Sequence, residues 1–330
     1  MAAVSALSKI RIDWFLVAIV ASAVLASLFP ARGVGVPVLD WATKIAIFGL
    51  FFLYGARLHP DEALKGLRDW RLHLTILSFT YIAFPALGLL LGPVLVPHLL
   101  SPALYAGLLY VTLCPSTVQS SVNFTSIAGG NVAGAIVSAS ASNLLGVFLT
   151  PALAIALMNT TGNADIRLES FLDIVLQILL PFVLGQLSRR WTADFVTRHK
   201  KLKLVDQFSI VLVVYAAFSS GMRENIWSLV TWSDLVVLLV VVCAILALAL
   251  WSTWTVARKL GFNRADAIAI QFCGTKKSLA SGLPMATVLF AGQPTGLIIL
   301  PLVLFHQLQL MACSAMASHY RRQADAADAG

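Results

Sequence analysis

The sequence predicts an all-α membrane protein of ten transmembrane helices, arranged as two inverted repeats of five helices each. Three observations predict this fold class: the composition, the number of apolar runs, and the side on which cationic residues fall. The chain of 330 residues is 59% apolar and 12% charged, whereas a soluble protein carries about 25% charged residues. Uncharged runs such as VVLLVVVCAILALALW (236–251) approach the length of about 20 residues that crosses a bilayer.

Apolar stretches bounded by charged residues, proline or glycine mark the ten spans in order. They lie at 13–29, 38–58, 72–92, 102–128, 131–158, 169–188, 204–221, 234–256, 266–290 and 294–318. The links between them are short, so no soluble domain is expected. The N-terminal stretch carries Lys9 and Arg11 ahead of an apolar run but no convincing cleavage site, and we interpret it as the first span.

The distribution of cationic residues supports this count. With the N-terminus inside, most of the 23 Lys and Arg residues fall in inner segments, and the outer segments hold only Arg32, Arg167 and Arg223. The positive-inside rule requires such an asymmetry, which predicts cytoplasmic termini in a bacterial inner (plasma) membrane. It also explains the net charge of +8 without a nucleic-acid partner. The basic clusters at 57–71 and 189–203 are interpreted as topology signals, although either could bind anionic lipid or a partner.

The two halves of the chain should mirror each other. Because each half has an odd number of spans, residues 1–158 and 159–330 would form inverted repeats within one membrane unit. Similar chain lengths lead from the start of each half to a polar passage, CPSTVQSSVNFTS from Cys114 and CGTKKSLASG from Cys273. Interrupted helices in matching positions of inverted repeats are the strongest sequence pointer to the binding site of a secondary transporter.

These passages contain residues that disfavour a continuous helix. Pro115 in span 4, and Gly274 and Pro284 in span 9, predict where the helices break. Most of residues 114–126 are polar, which exceeds what ordinary Ser/Thr packing between helices explains. A break frees backbone groups inside the membrane, and it is tolerated only where those groups line a cavity or meet a ligand.

The pair Lys276–Lys277 falls within span 9, where each lysine costs roughly 2.5–3.5 kcal/mol on insertion scales. Three roles are open for it. The pair could bind an anionic group, one ammonium could take the place of a metal cation, or one could release a proton during the cycle. A neutralising salt bridge is the structural alternative, with Asp173, Asp206 and Asp266 as candidates. Neighbours on a regular helix diverge by about 100°, so a break would let both reach one cavity.

Other classes of function have less support in the sequence. The chain has no zinc-ligand pair at helical spacing and no adjacent carboxylates within a span, so an enzyme, a metal centre or a bound cofactor is not expected. The cysteines lie in apolar segments and predict no disulfide framework. Asn143, His306, Gln307 and Gln309 are interpreted as interhelical hydrogen-bonding residues.

At the level of family, the chain resembles the bile acid:sodium symporter superfamily over nearly its whole length. The motif CGTKKSLASGLP resembles the branch that includes the seventh vertebrate member and its bacterial homologues. The resemblance implies a four-helix panel domain (spans 1, 2, 6 and 7) and a six-helix core in which unwound spans 4 and 9 cross. Members of known activity carry organic anions with sodium by alternating access.

Of the sodium-binding positions that the resemblance implies, some hold suitable residues in this chain and others do not. Anchored on GNVA (130–133), the serine of the family's span 4 Ser-Asn pair falls on Ser121, and Asn123 lies one residue beyond the asparagine position. Two hydroxyl ligands of span 5 fall on alanines near Ser138 and Ser142. In span 9 the sodium-binding glutamate becomes Phe272, and the glutamine and asparagine become Lys276 and Lys277. The positive charge of Lys276 and Lys277 disfavours the binding of a sodium ion at close range.

The leading hypothesis is a transporter of a small organic anion, with sodium coupling disfavoured and Na+ or H+ open as coupling ion. The rival is a membrane regulator or receptor that keeps the fold and signals through a partner, with the 189–203 segment as its docking surface. The predicted substrate-binding residues are Ser121, Asn123, Gln271, Thr275, Lys276, Lys277 and Ser278. The predicted ion-binding residues are Ser121, Asn123, Ser138, Ser142 and Gln271.

Overall fold

The computed structural model describes residues 14–57, 69–96, 98–158, 175–199, 202–223, 225 and 230–328. Within these ranges every regular element is a helix and no strand occurs. The predicted all-α class is therefore confirmed.

The helices of the first half are α1 to α6. Two of them contain a π-helical turn, at Phe79–Ala83 in α3 and at Ala154–Met158 at the end of α6. Their bounds are Trp14–Leu28 (α1), Gly35–Arg57 (α2), Trp70–Leu95 (α3), Pro102–Leu113 (α4), Val118–Ile127 (α5) and Val132–Met158 (α6).

The helices of the second half are α7 to α12, and a π-helical turn at Val175–Leu179 precedes α7. Their bounds are Leu180–Arg198 (α7), Leu202–Arg223 (α8), Trp232–Lys259 (α9), Arg264–Thr275 (α10), Leu279–Leu289 (α11) and Thr295–Asp328 (α12).

Local sequence explains where several of these helices begin. Thr231 and Asp234 form a reciprocal capping box at the start of α9, in which each side chain accepts a hydrogen bond from the other residue's backbone N–H. Asn263 caps α10 by accepting a bond from the Asp266 backbone N–H at 2.8 Å. Each cap satisfies a backbone donor that the first helical turn leaves free.

Six helical segments among the described residues are long and apolar enough to cross a membrane. They are Gly35–Arg57, Trp70–Leu95, Val132–Met158, Leu204–Arg223, Trp232–Lys259 and Thr295–Ala326. Shorter apolar helices include Val17–Leu28 and Pro102–Leu113. Many large apolar side chains on these helices are exposed, for example Ile45 and Leu90 at 67% and 74%. Apolar exposure on this scale fits a surface that faces lipid.

The helices pack in two groups. In one group, α2 packs against α7, and α8 packs against both α1 and α2. In the other, α12 packs against α4, α9 and α11, while α10 packs against α3, α5, α6 and α9. The groups meet where α8 contacts α11 and α12. The second group contains both short pairs, α4–α5 and α10–α11.

Glycines allow the closest helix contact in the first group. A Cβ at Gly55 of α2 would overlap the Phe182 carbonyl oxygen of α7, and a Cβ at Gly185 of α7 would overlap the Phe52 carbonyl oxygen of α2. Small residues at helix interfaces let the backbones approach closely. The resulting van der Waals contacts hold helices together in lipid, where the hydrophobic effect does not drive their association.

Two helix ends differ from the sequence prediction. The basic segment predicted as an inner loop at 189–203 is helical as far as Arg198, because α7 continues past the apolar stretch. The last helix, predicted to end near 318, continues to Asp328. Apolar periodicity marks the membrane-embedded part of a helix, and a polar extension beyond it carries no such signal.

Candidate functional site

The first helix interruption lies between α4 and α5. The helix ends at Leu113, and Cys114 (φ −68°, ψ 149°) and Thr117 (φ −78°, ψ 134°) have extended backbones before α5 begins at Val118. Pro115 lies in this gap and has no backbone N–H to donate.

The second helix interruption lies between α10 and α11. The helix ends at Thr275, and Lys276 (φ −79°, ψ 147°) and Ser278 (φ −81°, ψ 114°) have extended backbones. The Ser278 hydroxyl accepts a bond from the Ser281 backbone N–H at 3.3 Å and so caps the new helix. The lysine pair therefore lies in the gap itself.

The break predicted at Gly274 lies next to the observed one, because α10 ends at Thr275, one residue later. The prediction that Pro284 breaks span 9 is corrected, because Pro284 lies inside α11. Gly274 serves close packing, since a Cβ there would lie 3.3 Å from Thr253 Cγ2 on α9. Pro284 leaves the Ala280 carbonyl, four residues earlier, without its helical N–H partner. The Tyr54 hydroxyl of α2 donates to that carbonyl at 3.5 Å.

The two interruptions cross and exchange hydrogen bonds. The Ser278 backbone N–H donates to the Pro115 carbonyl at 2.7 Å, and the Ser116 hydroxyl donates to the Cys273 carbonyl at 2.6 Å. Buried backbone groups must find partners, and here each broken helix supplies partners for the other. The crossing is thus one hydrogen-bonded unit built from two distant parts of the chain.

Helix α6 satisfies further backbone groups of the first interruption. The Ser116 N–H donates to Ser142 Oγ at 3.0 Å, and Asn143 Nδ2 donates to the Ser116 carbonyl at 2.9 Å. Thr150 Oγ1 donates to the Leu113 carbonyl at 2.9 Å. Ser142, predicted to bind an ion, therefore holds the broken backbone in place.

Gln309 of α12 does the same for the second interruption. Its Oε1 accepts from the Lys277 backbone N–H, and its Nε2 donates to the Lys277 carbonyl, both at 2.8 Å. His306 Nδ1 lies 2.9 Å from the same Nε2. Gln309 is fully buried, so its amide replaces the helical partners that Lys277 lacks.

The Lys277 side chain is fully buried and its ammonium is enclosed by oxygen atoms. Nζ donates to the backbone carbonyls of Thr80, Thr112 and Cys114 at 3.0, 2.8 and 2.9 Å. It also lies 4.2 Å from the centre of the Phe84 ring. An ammonium has three N–H donors, so those of Lys277 are fully used.

The Lys276 side chain is equally buried but has a different environment. Its Nζ lies 3.7 Å from the centre of the Phe124 ring, a cation–π contact, and its titratable neighbours are the Cys273 and Cys313 thiols. Among the residues that the structure describes, this Nζ has no hydrogen-bond partner, and neither has the buried Ser281 hydroxyl.

The expectation that both lysines reach one cavity is therefore corrected, because their ammonium groups are directed to different helices. No described carboxylate forms a salt bridge with either of them: Asp206 pairs with Arg57. Asp266 accepts a hydrogen bond from Asn131 at 2.7 Å. Asp173, the third candidate, lies outside the described residues.

Helix α5 carries an exposed polar face beside the crossing. Gln119, Asn123 and Ser126 are exposed and lie on one side of the helix. By contrast, α4 is buried at every position from 104 to 113, and α11 is almost entirely buried. Polar side chains at membrane depth normally face water or protein rather than lipid.

Three more of the predicted site residues lie at the crossing. Ser121 Oγ lies 3.4 Å from the Phe272 carbonyl, and Thr275 Oγ1 lies 3.2 Å from Thr253 Oγ1. Ser278 is the helix cap described above. All three hydroxyl groups therefore have protein partners.

The other predicted residues lie elsewhere. Asn123 belongs to the exposed face of α5, and the Ser138 hydroxyl lies 2.6 Å from His73 Nδ1. Gln271 Nε2 donates to a carbonyl of α9 at 2.9 Å, and its Oε1 accepts from the Tyr320 hydroxyl at 2.8 Å. The structure thus uses both polar ends of Gln271 to join α9, α10 and α12.

Sequence reasoning missed several groups that surround the lysines. They are the carbonyls of Thr80 and Thr112 and the rings of Phe84 and Phe124. Gln309, by contrast, forms the kind of interhelical hydrogen bond that the sequence predicted for it. A backbone carbonyl has no sequence signature of its own. Pro85 alone points to the carbonyl of residue 81, four residues earlier. It frees the Thr80 carbonyl only because the π-helical turn shifts the pairing to five residues.

Comparison with known proteins assigns the chain to a family. The family model described as the SBF-like CPA transporter family matches residues 13–322. The chain belongs to this family. Relatives include "Uncharacterized protein PA2026" of Pseudomonas aeruginosa, 48% identical over 96% of this chain and 95% of the relative. "Putative symporter YfeH" of Escherichia coli (strain K12) is 48% identical over 95% and 94%, and "Sodium/bile acid cotransporter 7" of Rattus norvegicus is 31% identical over 94% and 93%.

Membership of the SBF-like CPA transporter family confirms the resemblance to the bile acid:sodium symporter superfamily. This member of the family is an integral, multi-pass membrane transporter, and its environment is a lipid bilayer.

Proposed function

We propose that this protein is a secondary active transporter that moves a small organic anion by alternating access, without coupling to sodium. In this proposal the chain crosses a bacterial inner membrane ten times as two inverted five-helix repeats, with both termini in the cytoplasm. The group formed by α1, α2, α7 and α8 acts as the panel, and the other helices form the core. The crossing of the two interruptions is the substrate site.

One observation carries the proposal: the Lys276 ammonium is fully buried at the crossing and has no hydrogen-bond partner among the described residues. A buried cation without an acceptor is costly, because the charge has lost water and gained only the Phe124 ring. A carboxylate or sulfonate would supply the missing acceptor. Charge-assisted hydrogen bonds of this kind contribute about 1.5–3 kcal/mol each.

The exposed face of α5 supports access to the site. Gln119, Asn123 and Ser126 give this half-helix an exposed polar surface next to the crossing. The half-helices α4 and α11 are instead buried along nearly their whole length. A path open at one end and sealed at the other is what one state of an alternating-access cycle requires.

The proposed coupling differs from the sodium coupling of the superfamily members of known activity. The name of the rat relative mentions sodium and bile acid. In this chain, the position at which the resemblance to the superfamily places a sodium-binding glutamate holds Phe272, and two amide positions hold lysines. Two buried ammonium groups raise the local potential against a third cation. We therefore propose a proton gradient as the driving force.

The test uses purified protein in liposomes and a panel of probes: small carboxylates, small sulfonates and taurocholate. Thermal unfolding with each probe, in sodium and in potassium buffer, identifies those that bind, and flux assays follow for these. Lys276→Met should weaken binding about 10- to 100-fold, because one charge-assisted hydrogen bond is lost.

Lys44→Met is the matched control, since Lys44 is an exposed lysine of α2 that lies over the Trp41 ring. It should bind and transport as the wild type does. Wild-type binding and flux of every transported anion in the Lys276→Met variant would refute the proposed site. Anion binding that depends on Lys276, with no flux of any probe through the wild type, would instead favour the receptor function.

A further inference from the structure

The enclosure of the Lys277 ammonium is built from carbonyl groups that have lost their helical partners. In a regular helix the Thr80 carbonyl would accept from residue 84. The Phe84 N–H instead bonds to the Phe79 carbonyl in the π-helical turn, and the next residue, Pro85, has no N–H. The Thr80 carbonyl is thus freed by a specific local feature of α3.

The other two carbonyls are freed by the first interruption. The Thr112 carbonyl would accept from residue 116, but the Ser116 N–H bonds to Ser142 Oγ instead. Cys114 lies beyond the end of α4, where the helix stops. Both carbonyls lie at the C-terminal end of a helix, whose dipole places partial negative charge there.

Three unpaired carbonyls that converge on one point form a cation site, since carbonyl oxygens can replace the hydration shell of a monovalent cation. Here the occupant is Nζ of Lys277, at 2.8 to 3.0 Å from each oxygen, with the Phe84 ring at 4.2 Å. No N–H of this ammonium is left for a solute. Lys276 and Lys277 therefore have different tasks.

We propose that the Lys277 ammonium is a covalently tethered monovalent cation, which holds α3, α4 and the α10–α11 interruption together in place of a free ion. The crossing then keeps its structure without dissolved Na+. The consequence that transport is independent of sodium rests on the proposed function, whereas the cation site itself does not.

The experiment removes the tether and offers free cations. Lys277→Ala is purified in detergent, and its unfolding temperature is measured in chloride salts of ammonium, methylammonium, sodium and the bulky cation N-methyl-D-glucamine. We expect Lys277→Ala to unfold at a lower temperature than the wild type. Ammonium or methylammonium should restore about 5 °C or more relative to N-methyl-D-glucamine, because a ligand that binds only the folded state stabilises it.

Two variants control for non-specific salt effects. Lys277→Met has a side chain of similar length without charge that fills the space, so no cation should restore it. Lys276→Ala removes an ammonium that no carbonyl surrounds, and small cations should not restore it either. Equal responses of all three variants to ammonium would overturn the proposal.

The wild type supplies a measurement that requires no variant. Its unfolding temperature should be the same in sodium, potassium and N-methyl-D-glucamine chloride at equal ionic strength, because the site is already filled. A specific rise of several degrees in sodium would overturn the proposal, even if Lys277→Ala cannot be purified. All of these readings are made without a solute, so a failure to transport anions would leave them unaffected.

Discussion

Gln309 offers the sharpest test of how the broken helix is held. In Gln309→Leu the side chain keeps a similar size and loses both polar ends, so the Lys277 backbone loses its bonds of 2.8 Å at N–H and at carbonyl. Interhelical hydrogen bonds in membranes contribute about 0.6 kcal/mol on average, which would give about 1 kcal/mol for the two.

We expect a larger loss of stability than this average gives, for a structural reason. The average is low because a polar group in a membrane usually finds another partner after mutation. Residue 277 lies in an interruption, where no helical turn offers one, and Gln309 is fully buried. The Lys277 carbonyl keeps His306 Nδ1 at 3.5 Å, so the Lys277 N–H is the group left unpaired. An unpaired buried backbone group costs about 1–3 kcal/mol, and we expect a loss of this size.

The assay is unfolding by SDS in mixed micelles, followed by tryptophan fluorescence. Gln307→Leu is the matched control, since it makes the same change two residues away on a different face of α12, at a half-buried position. It should change the free energy of unfolding by less than about 1 kcal/mol. A Gln309→Leu variant within about 0.5 kcal/mol of this control would refute the reasoning about unpaired backbone groups.

Two further predictions concern the helix interface and the exposed face of α5. Gly55→Ala should destabilise the protein by about 1–3 kcal/mol, because its Cβ would overlap a carbonyl oxygen of α7. Gly49→Ala of the same helix, where a Cβ meets nothing within 4 Å, should be neutral or slightly stabilising when both are measured by SDS unfolding. Asn123→Cys should react with a water-soluble maleimide in vesicles and the buried Thr125→Cys should not, with the exposed Cys243 replaced by serine in both. Equal labelling at the two positions would contradict an aqueous path along α5.

The two helix interruptions show which features of the fold could be predicted from the sequence. Pro115 and the polar run after Cys114 predicted a broken span 4, and the gap at residues 114–117 lies there. In span 9 the interruption begins two residues after Gly274, where the sequence predicted it, whereas Pro284 is accommodated within α11. Their effect on a helix depends on neighbours such as Thr253 and Tyr54, which lie on other helices.

The lysines show which property of the site the sequence could not predict. Their position in an apolar segment predicted a buried polar site, and both are fully buried. Which lysine keeps a free ammonium could not be predicted, because the answer depends on carbonyls of α3 and α4 that lie more than 160 residues away in the chain. A carbonyl is present at every residue, and only its loss of a helical partner makes it available.

The sequence by itself determined the membrane-embedded helical class, the family and the two segments in which the helices break. These properties depend on apolar content, residue spacing and local backbone chemistry, which act within one or two helical turns. Only the tertiary structure decided that Lys277 is enclosed by three carbonyls, that Lys276 is not, and that Gln309 supports the break. Those outcomes depend on which unpaired groups of separate helices come within about 3 Å of each other, the range of a hydrogen bond.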